Sequence, residues 1–263
     1  MTAMIYPTTN PLATEELVLE KGQGVYVYDN KGNRYLEGLA GLWCTSLGYG
    51  NEEIIESAQE QMRKFTFCHL FGGKSHPSAI ELAEKLAAMS PIDDARVFLG
   101  TSGSDANDTQ VKNLRYYFNA IGQPQKKKII SRDKGYHGVT VASASLTGLS
   151  AMHSHFDLPI DALGILRTSC PYYYREAEPE ESEIEFSSRL ADELEKLILE
   201  EGAETIAAFI AEPVCGAGGV IVPPEGYFEK ITAVLKKYDI FLWDDEVICG
   251  FGRLGSDFGA TKL

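Results

Sequence analysis

The pattern of apolar and polar positions changes character near residue 95. Before it, strand-like runs at 24–28 and 35–36 flank Asp29, Asn30, Lys31 and Gly32, which is the turn chemistry of a hairpin. Asn51 is placed to cap a helix with Glu52 and Glu53 in its first turn and Ile54, Ile55, Ala58 and Met62 on one face. Residues 77–89 predict a second helix, opened by Pro77, with Ile80, Ala83, Leu86 and Ala87 on its buried side. From 95 onward strand, loop and helix repeat. Strands are expected at 96–99, 128–131, 205–211 and 240–243. One helix runs through Ala106, Val111, Leu114 and Phe118, and others span about 183–200 and 226–238. Ser182 and Glu185 form a capping box, after which Phe186, Leu190, Leu194, Leu197 and Ile198 recur at helical spacing. Such alternation predicts an α/β fold, a mostly parallel sheet with helices on both faces. The expected division is an N-terminal segment, 1–65, with hairpin and helix, and an α/β domain over 66–263. The loop at 168–182, rich in Pro, Tyr and Glu, carries no chemistry of its own.

Composition narrows the partners. With 263 residues, 44% of them hydrophobic, the chain can bury a substantial core. Its 24 basic and 38 acidic residues give a formal charge of −14, a surface that repels phosphate backbones and argues against nucleic acid. The five cysteines, Cys44, Cys68, Cys170, Cys215 and Cys249, are widely spread and include no C-x-x-C pair. That argues against a disulfide framework and a zinc site, and fits a reducing cytoplasm. His153, His155 and Asp157 lack a third or fourth neighbouring ligand, so no metal is expected. No apolar run approaches the length needed to cross a bilayer.

The candidate chemistry gathers at the strand ends, where open α/β sheets bind ligands. The run Ile240, Phe241, Leu242, Trp243 ends in Asp244, Asp245 and Glu246 and turns through Gly250 and Gly252. A partly desolvated carboxylate there suits a protonated ring nitrogen or a metal ion; it also suits a simple cap. Thr101, Ser102, Gly103 and Ser104, between a strand and a helix, offer backbone N–H groups and hydroxyls for a phosphate, or an ordinary serine cap. Lys134, Gly135, Tyr136, His137 and Gly138 expose an aromatic ring and an imidazole between glycines, and Glu212 with Pro213 ends the third run. A Walker B reading of the 240–246 run needs a Walker A partner. The Gly73-Lys74-Ser75 triplet fails that test, since Cys68 stands where the first glycine belongs. Four successive strand ends bearing a phosphate seat, an aromatic plate and two carboxylates weigh more together than any one alone.

Ordered motifs turn this constellation into a resemblance covering the chain from about Gly22. They are Gly41-Leu42-Trp43-Cys44, Ser75-His76-Pro77, Ser102-Gly103-Ser104-Asp105-Ala106-Asn107, Gly135-Tyr136-His137-Gly138, Ala211-Glu212-Pro213-Val214, and Asp245-Glu246-Val247 leading to Gly250-Phe251-Gly252-Arg253. The chain resembles the class III, fold type I aminotransferases that use pyridoxal 5'-phosphate (PLP), and most closely the omega-amino acid–pyruvate group. The resemblance implies the large domain of that fold. It implies a cofactor site of Ser102, Gly103, Ser104, Tyr136, His137, Gly138, Glu212, Asp245 and Val247, with Trp43 and Tyr136 toward the substrate. Gly103 and Ser104 would hold the phosphate, Tyr136 and Val247 would take the two ring faces, Asp245 would pair with the ring nitrogen, and Glu212 would support the ring's polar edge. It also implies a homodimer, an amine donor, and pyruvate or a similar keto acid as acceptor. The family's reactive lysine, which carries the cofactor as a Schiff base, is expected one strand beyond Leu263, and Lys262 stands too early to replace it. A truncated chain inactive in transamination by itself is therefore expected. The alternative is a non-catalytic remnant that binds PLP weakly or associates with a full-length subunit.

Overall fold

The computed structural model describes residues 3–7, 9, 10, 12 and 15–261. They divide into two compact units, Met1–Ala79 and Ile80–Leu263. Lys262 lies outside the described residues.

In the first unit, β1 (Leu19–Gln23), β2 (Tyr26–Asp29) and β3 (Arg34–Leu36) form an antiparallel sheet in that order. The expected hairpin is β2–β3. Its turn is closed by Asp29, whose carboxylate accepts from the backbone N–H groups of Lys31 and Asn33, from Asn33 Nδ2 and from Tyr35 Oη. Helix α1 (Glu52–Lys64) starts at Asn51, whose side chain accepts from Ile54 N. Amphipathic spacing fixes which residues share a face, not whether anything covers it. Ile54 and Met62 remain 52% and 63% exposed. In α2 (Pro77–Met89), which crosses from the first unit into the second, Ala83, Leu86 and Ala87 are half-buried as expected, while Ala79 is buried and Ile80 half exposed.

The second unit is built on β4 (Lys128–Arg132), β5 (Ile165–Thr168), β6 (Ile206–Ala211) and β7 (Phe241–Asp244). They lie in the order β5-β4-β6-β7, all parallel. Helices α3 (Gly103–Ala120), α4 (Val141–Leu146), α5 (Glu183–Glu201) and α6 (Tyr227–Lys237) cover it. Side chains alternate across a strand, so adjacent residues serve opposite cores. Ile130 and Phe209 pack with Phe186, Leu190, Leu194 and Ile198 of α5 and Ile231 and Leu235 of α6. Ile129 and Ile210 pack with Val111, Leu114 and Phe118 of α3. Each such aliphatic or aromatic side chain, fully buried, stabilises by about 1.5–3 kcal/mol. A bulge lets Ile206 and Phe209, three apart, share one face: Lys128 pairs with Ile206 but Ile129 with Ala208.

One expected strand is absent. Residues 96–99 form no ladder among the described residues, and Phe98 is 67% exposed. The Arg96 guanidinium turns back onto the carbonyls of Asp94 and Ala95. An apolar run becomes a strand only beside a hydrogen-bonding neighbour, and none of the described strands lies alongside this one. The sheet gains β5 instead, which the pattern did not announce. It is a four-residue run with every member half-buried and an arginine in its middle.

Candidate functional site

In a parallel sheet all strands end on the same side, so the residues after β4, β6 and β7 converge. The ladder continues one step past β7, with Asp245 N donating to Ala211 O at 2.8 Å. This sets Asp245 beside Glu212. The loop following β4 then meets each neighbouring element in turn. Tyr136 N donates to Glu212 Oε1 (2.9 Å). His137 N donates to Thr147 Oγ1 (2.8 Å), and its ring nitrogen Nδ1 lies 2.8 Å from Asp245 Oδ2. Val139 N donates to Ser104 Oγ (3.0 Å). The predicted residues at 104, 136, 137, 212 and 245 are thus linked by direct contacts through one short loop.

Asp245 is 5% exposed. Its Oδ2 accepts from His137 Nδ1 and from Asn107 Nδ2 at 3.0 Å, and its Oδ1 from Val247 N at 3.2 Å. Burial pushes the carboxyl up, but the hydrogen bond and charge of His137, then Asn107 and the Val247 N–H, outweigh it and hold the group below its ordinary value. An acceptor faces His137 Nδ1, so that nitrogen carries the proton. Nε2 of the same ring is buried without a partner among the described residues, and a Cβ on Gly135 would lie 3.1 Å from it. A carboxylate accommodates about four donors. Asp245 has three in hand, which leaves Oδ1 able to take one more.

Glu212 is 3% exposed, and burial raises its carboxyl above the ordinary value against the N–H groups of Tyr136 and Gly216. Its second oxygen accepts from Gly216 N at 2.8 Å, so this one side chain ties two loops together. The Tyr136 phenol is raised by burial and then by the charge of Asp245, which keeps the ring neutral. Arg132, wholly buried at the end of β4, donates through Nη2 to the Glu212 carbonyl at 2.6 Å.

At the other end of the site α3 begins. Ser102 Oγ accepts from Asp105 N and caps the helix, so the ordinary cap reading holds for that residue. Ser104 Oγ accepts the Val139 N–H, which leaves its own O–H proton free to donate. Gly138 has φ 127°, and a Cβ there would collide with Ser104 Oγ and lie 2.5 Å from Ser143 Oγ. A Cβ on Gly103 would lie 2.7 Å from Val247 Cγ2. The loop after β4, the start of α3 and the turn after β7 therefore pack closely through residues without side chains, beside the N-terminal N–H groups of α3.

Trp43 belongs to the first unit. It is half-buried in the turn Ala40–Trp43, where Ala40, Leu42 and Trp43 have φ of 49°, 60° and 65°. Left-handed backbone costs roughly 1–2 kcal/mol per non-glycine residue. Glu37 offsets part of this by accepting from Leu39 N and Gly41 N.

Asn107 and Thr147 received no role from the sequence, although both touch the cluster. Asn107 ends the motif Ser102–Asn107; its signal is its position one turn after Ser104, on the face pointing back toward the strand ends.

An all-parallel sheet covered by helices, with a buried acid at a strand end beside the start of a helix, is the large-domain fold of a fold type I PLP-dependent transaminase. The chain belongs to the class-III aminotransferases, whose family model matches residues 9–263. It is 55% identical over 249 residues to a chloroplastic gamma aminobutyrate transaminase 3 of Solanum lycopersicum, covering 94% of this chain and 48% of that protein. It is 53% identical over 249 residues to a vanillin aminotransferase of Capsicum annuum, covering 94% of this chain and 54% of that one. The structure superimposes on the omega transaminase of Pseudomonas jessenii, solved in complex with PMP, with a TM-score of 0.96 and 53% identity, covering 98% of this chain and 57% of that one. The chain spans about half the length of the curated relatives it matches.

Proposed function

We propose that the cluster at the strand ends is a PLP site serving transamination between an amine or omega-amino acid and a keto acid such as pyruvate. One observation carries the reading: a buried carboxylate with one acceptor position to spare, Asp245, is held in contact with the loop that also seats Ser104 at the start of α3. A phosphorylated pyridine ring needs both ends. The residues fit the group, since Ser104 has an O–H proton to give beside the start of α3 and Asp245 has an acceptor position to spare.

When bound, PLP supplies an electron-accepting ring, and a protonated ring nitrogen is what makes it accept. Asp245 holds that proton in place as an ionised partner. Gly103, Ser104 and the first N–H groups of α3 bind the phosphate, with Ser102 capping the turn beneath them. Tyr136 and Val247 take the two faces of the ring. Glu212 fixes the Tyr136 loop, His137 orients Asp245, and Gly138 lets that loop approach Ser104 closely. Trp43 contributes to the amine side. An omega-amino acid donor is favoured by the gamma aminobutyrate transaminases among the relatives. A homodimer in a reducing compartment such as the cytoplasm completes the reading, and the gamma aminobutyrate transaminase of Solanum lycopersicum is a chloroplastic protein.

A second reading, PLP binding without turnover, is favoured by the makeup of the cluster: its members bind, orient or hold a proton, and none is an amine. Equilibrium dialysis against PLP, followed by an assay with gamma-aminobutyrate and pyruvate, separates the two. Saturable binding lost in Asp245→Asn is expected under both, and alanine production by a full-length protein carrying this chain under the first alone. Binding that survives Asp245→Asn unchanged would refute the site.

A further inference from the structure

We propose that Asn107 is a positioning residue of this site, one that locks the acid at the ring-nitrogen end to the same helix that seats the phosphate. The inference rests on the PLP reading above and deepens it. Asn107 is 5% exposed. Its amide nitrogen donates one hydrogen to the His137 carbonyl at 2.7 Å and the other to Asp245 Oδ2 at 3.0 Å. His137 Nδ1 reaches the same Oδ2 at 2.8 Å, so amide, carboxylate and histidine close a small ring of hydrogen bonds. Both Nδ2 hydrogens are spent on acceptors, and an acceptor in that place would face two others.

The position on α3 supplies the second half of the argument. Gly103 and Ser104 open the helix, and Asn107 follows at the i+4 and i+3 spacing that puts side chains on one face. The distance between phosphate seat and acid is therefore set by one turn of a regular helix, a rise of about 5.4 Å, rather than by two independent loops. Both ends of a rigid ligand must be satisfied at once, and a shared helix holds them in register. The amide also provides a donor that cannot ionise, which keeps Asp245 charged despite its burial.

The test uses the whole chain and PLP itself, with dissociation constants from equilibrium dialysis at several pH values and circular dichroism melting as the control for folding. Asn107→Leu keeps the volume and removes both donors. Its PLP affinity is expected to fall roughly ten- to hundredfold near pH 6, the loss of a hydrogen bond to a charged group, and by less near pH 8.5. Asn107→Asp is expected to bind poorly at pH 8.5 and to regain affinity as the pH falls, because a protonated carboxyl offers an O–H to Asp245. Opposite pH trends in the two variants support the positioning role, since a purely structural defect would weaken binding in parallel. If Asn107→Leu does not fold, Asn107→Ala, which also removes both donors, carries the same expectation. Folded variants whose pH profiles match the unmodified chain overturn the inference and leave the PLP reading standing; an unmodified chain that binds no PLP overturns both.

Discussion

Gly103 and Val247 approach so closely that a Cβ on the glycine would lie 2.7 Å from Val247 Cγ2. The start of α3 and the turn after β7 thereby meet in a contact that a side chain at residue 103 would displace. Val247 is 67% exposed, so its side chain can swing aside at little cost to the fold.

Gly103→Ala is therefore expected to leave stability within about 0.5 kcal/mol of the unmodified chain, as for most surface changes. PLP binding should weaken roughly fivefold, equivalent to about 1 kcal/mol of misplaced packing. Paired melting curves and dialysis isotherms check both halves. A large drop in melting temperature would show that the contact is structural instead.

Glu212 holds Tyr136 N with one oxygen and Gly216 N with the other. In Glu212→Gln one of those N–H groups would meet an amide NH2, leaving a buried donor unsatisfied at about 1–3 kcal/mol. Denaturant unfolding should show that loss. Amide exchange at Tyr136 or Gly216 should accelerate, and unchanged protection at both would refute the clamp.

The parts legible in sequence were those where one local pattern decides the outcome. Residues 206–211 are apolar throughout and buried throughout, and the Ser182–Glu185 box starts its helix as expected. Residues 96–99 were over-read because a strand is completed by a neighbour that composition does not reveal. Residues 165–168 were missed because Arg167 interrupts the run; in the fold that guanidinium donates to the carbonyls of Ser145 and Thr147 at 2.6 Å, a partnership visible only in three dimensions. At the site, Asp245 and Glu212 announced themselves as acids ending apolar runs. Asn107 did not, since an asparagine in a helix ordinarily faces water, and its inward position depends on α3 crossing the strand ends.

Asp29 gives the hairpin an acid dependence. The Asn33 side chain is the main cause of a carboxyl lowered to about 2; burial opposes it, and the Asn33 N–H, Tyr35 hydroxyl and Lys31 N–H assist. Unfolded aspartate titrates near 3.9. The folded value lies below the unfolded one, so the contribution is present above about pH 4 and is lost as the pH falls through about 2. Nuclear magnetic resonance of the β2–β3 turn should show the Tyr35 hydroxyl contact breaking in that window. Asp29→Asn should abolish the transition and weaken the turn at neutral pH.

Asp244 predicts the opposite trend on the alkaline side. Burial, then the hydrogen bond and charge of Glu246, then the charge of Asp245, push its carboxyl up to about 8, with Arg132 opposing. Glu246 is itself committed, its two oxygens accepting from Ala260 N and Gly259 N at 2.8 and 2.9 Å, so it cannot readily move away. An acid whose folded value is raised holds its proton in the native state and gives it up on unfolding. Its share of stability is intact below the unfolded value near 4, declines as the pH rises from there, and is exhausted above about 8. The melting temperature should therefore fall between pH 6 and pH 9. Asp244→Asn, neutral at every pH, should flatten that slope and melt higher than the unmodified chain at pH 9. A variant that follows the same alkaline decline as the unmodified chain would show that the titrating group lies elsewhere.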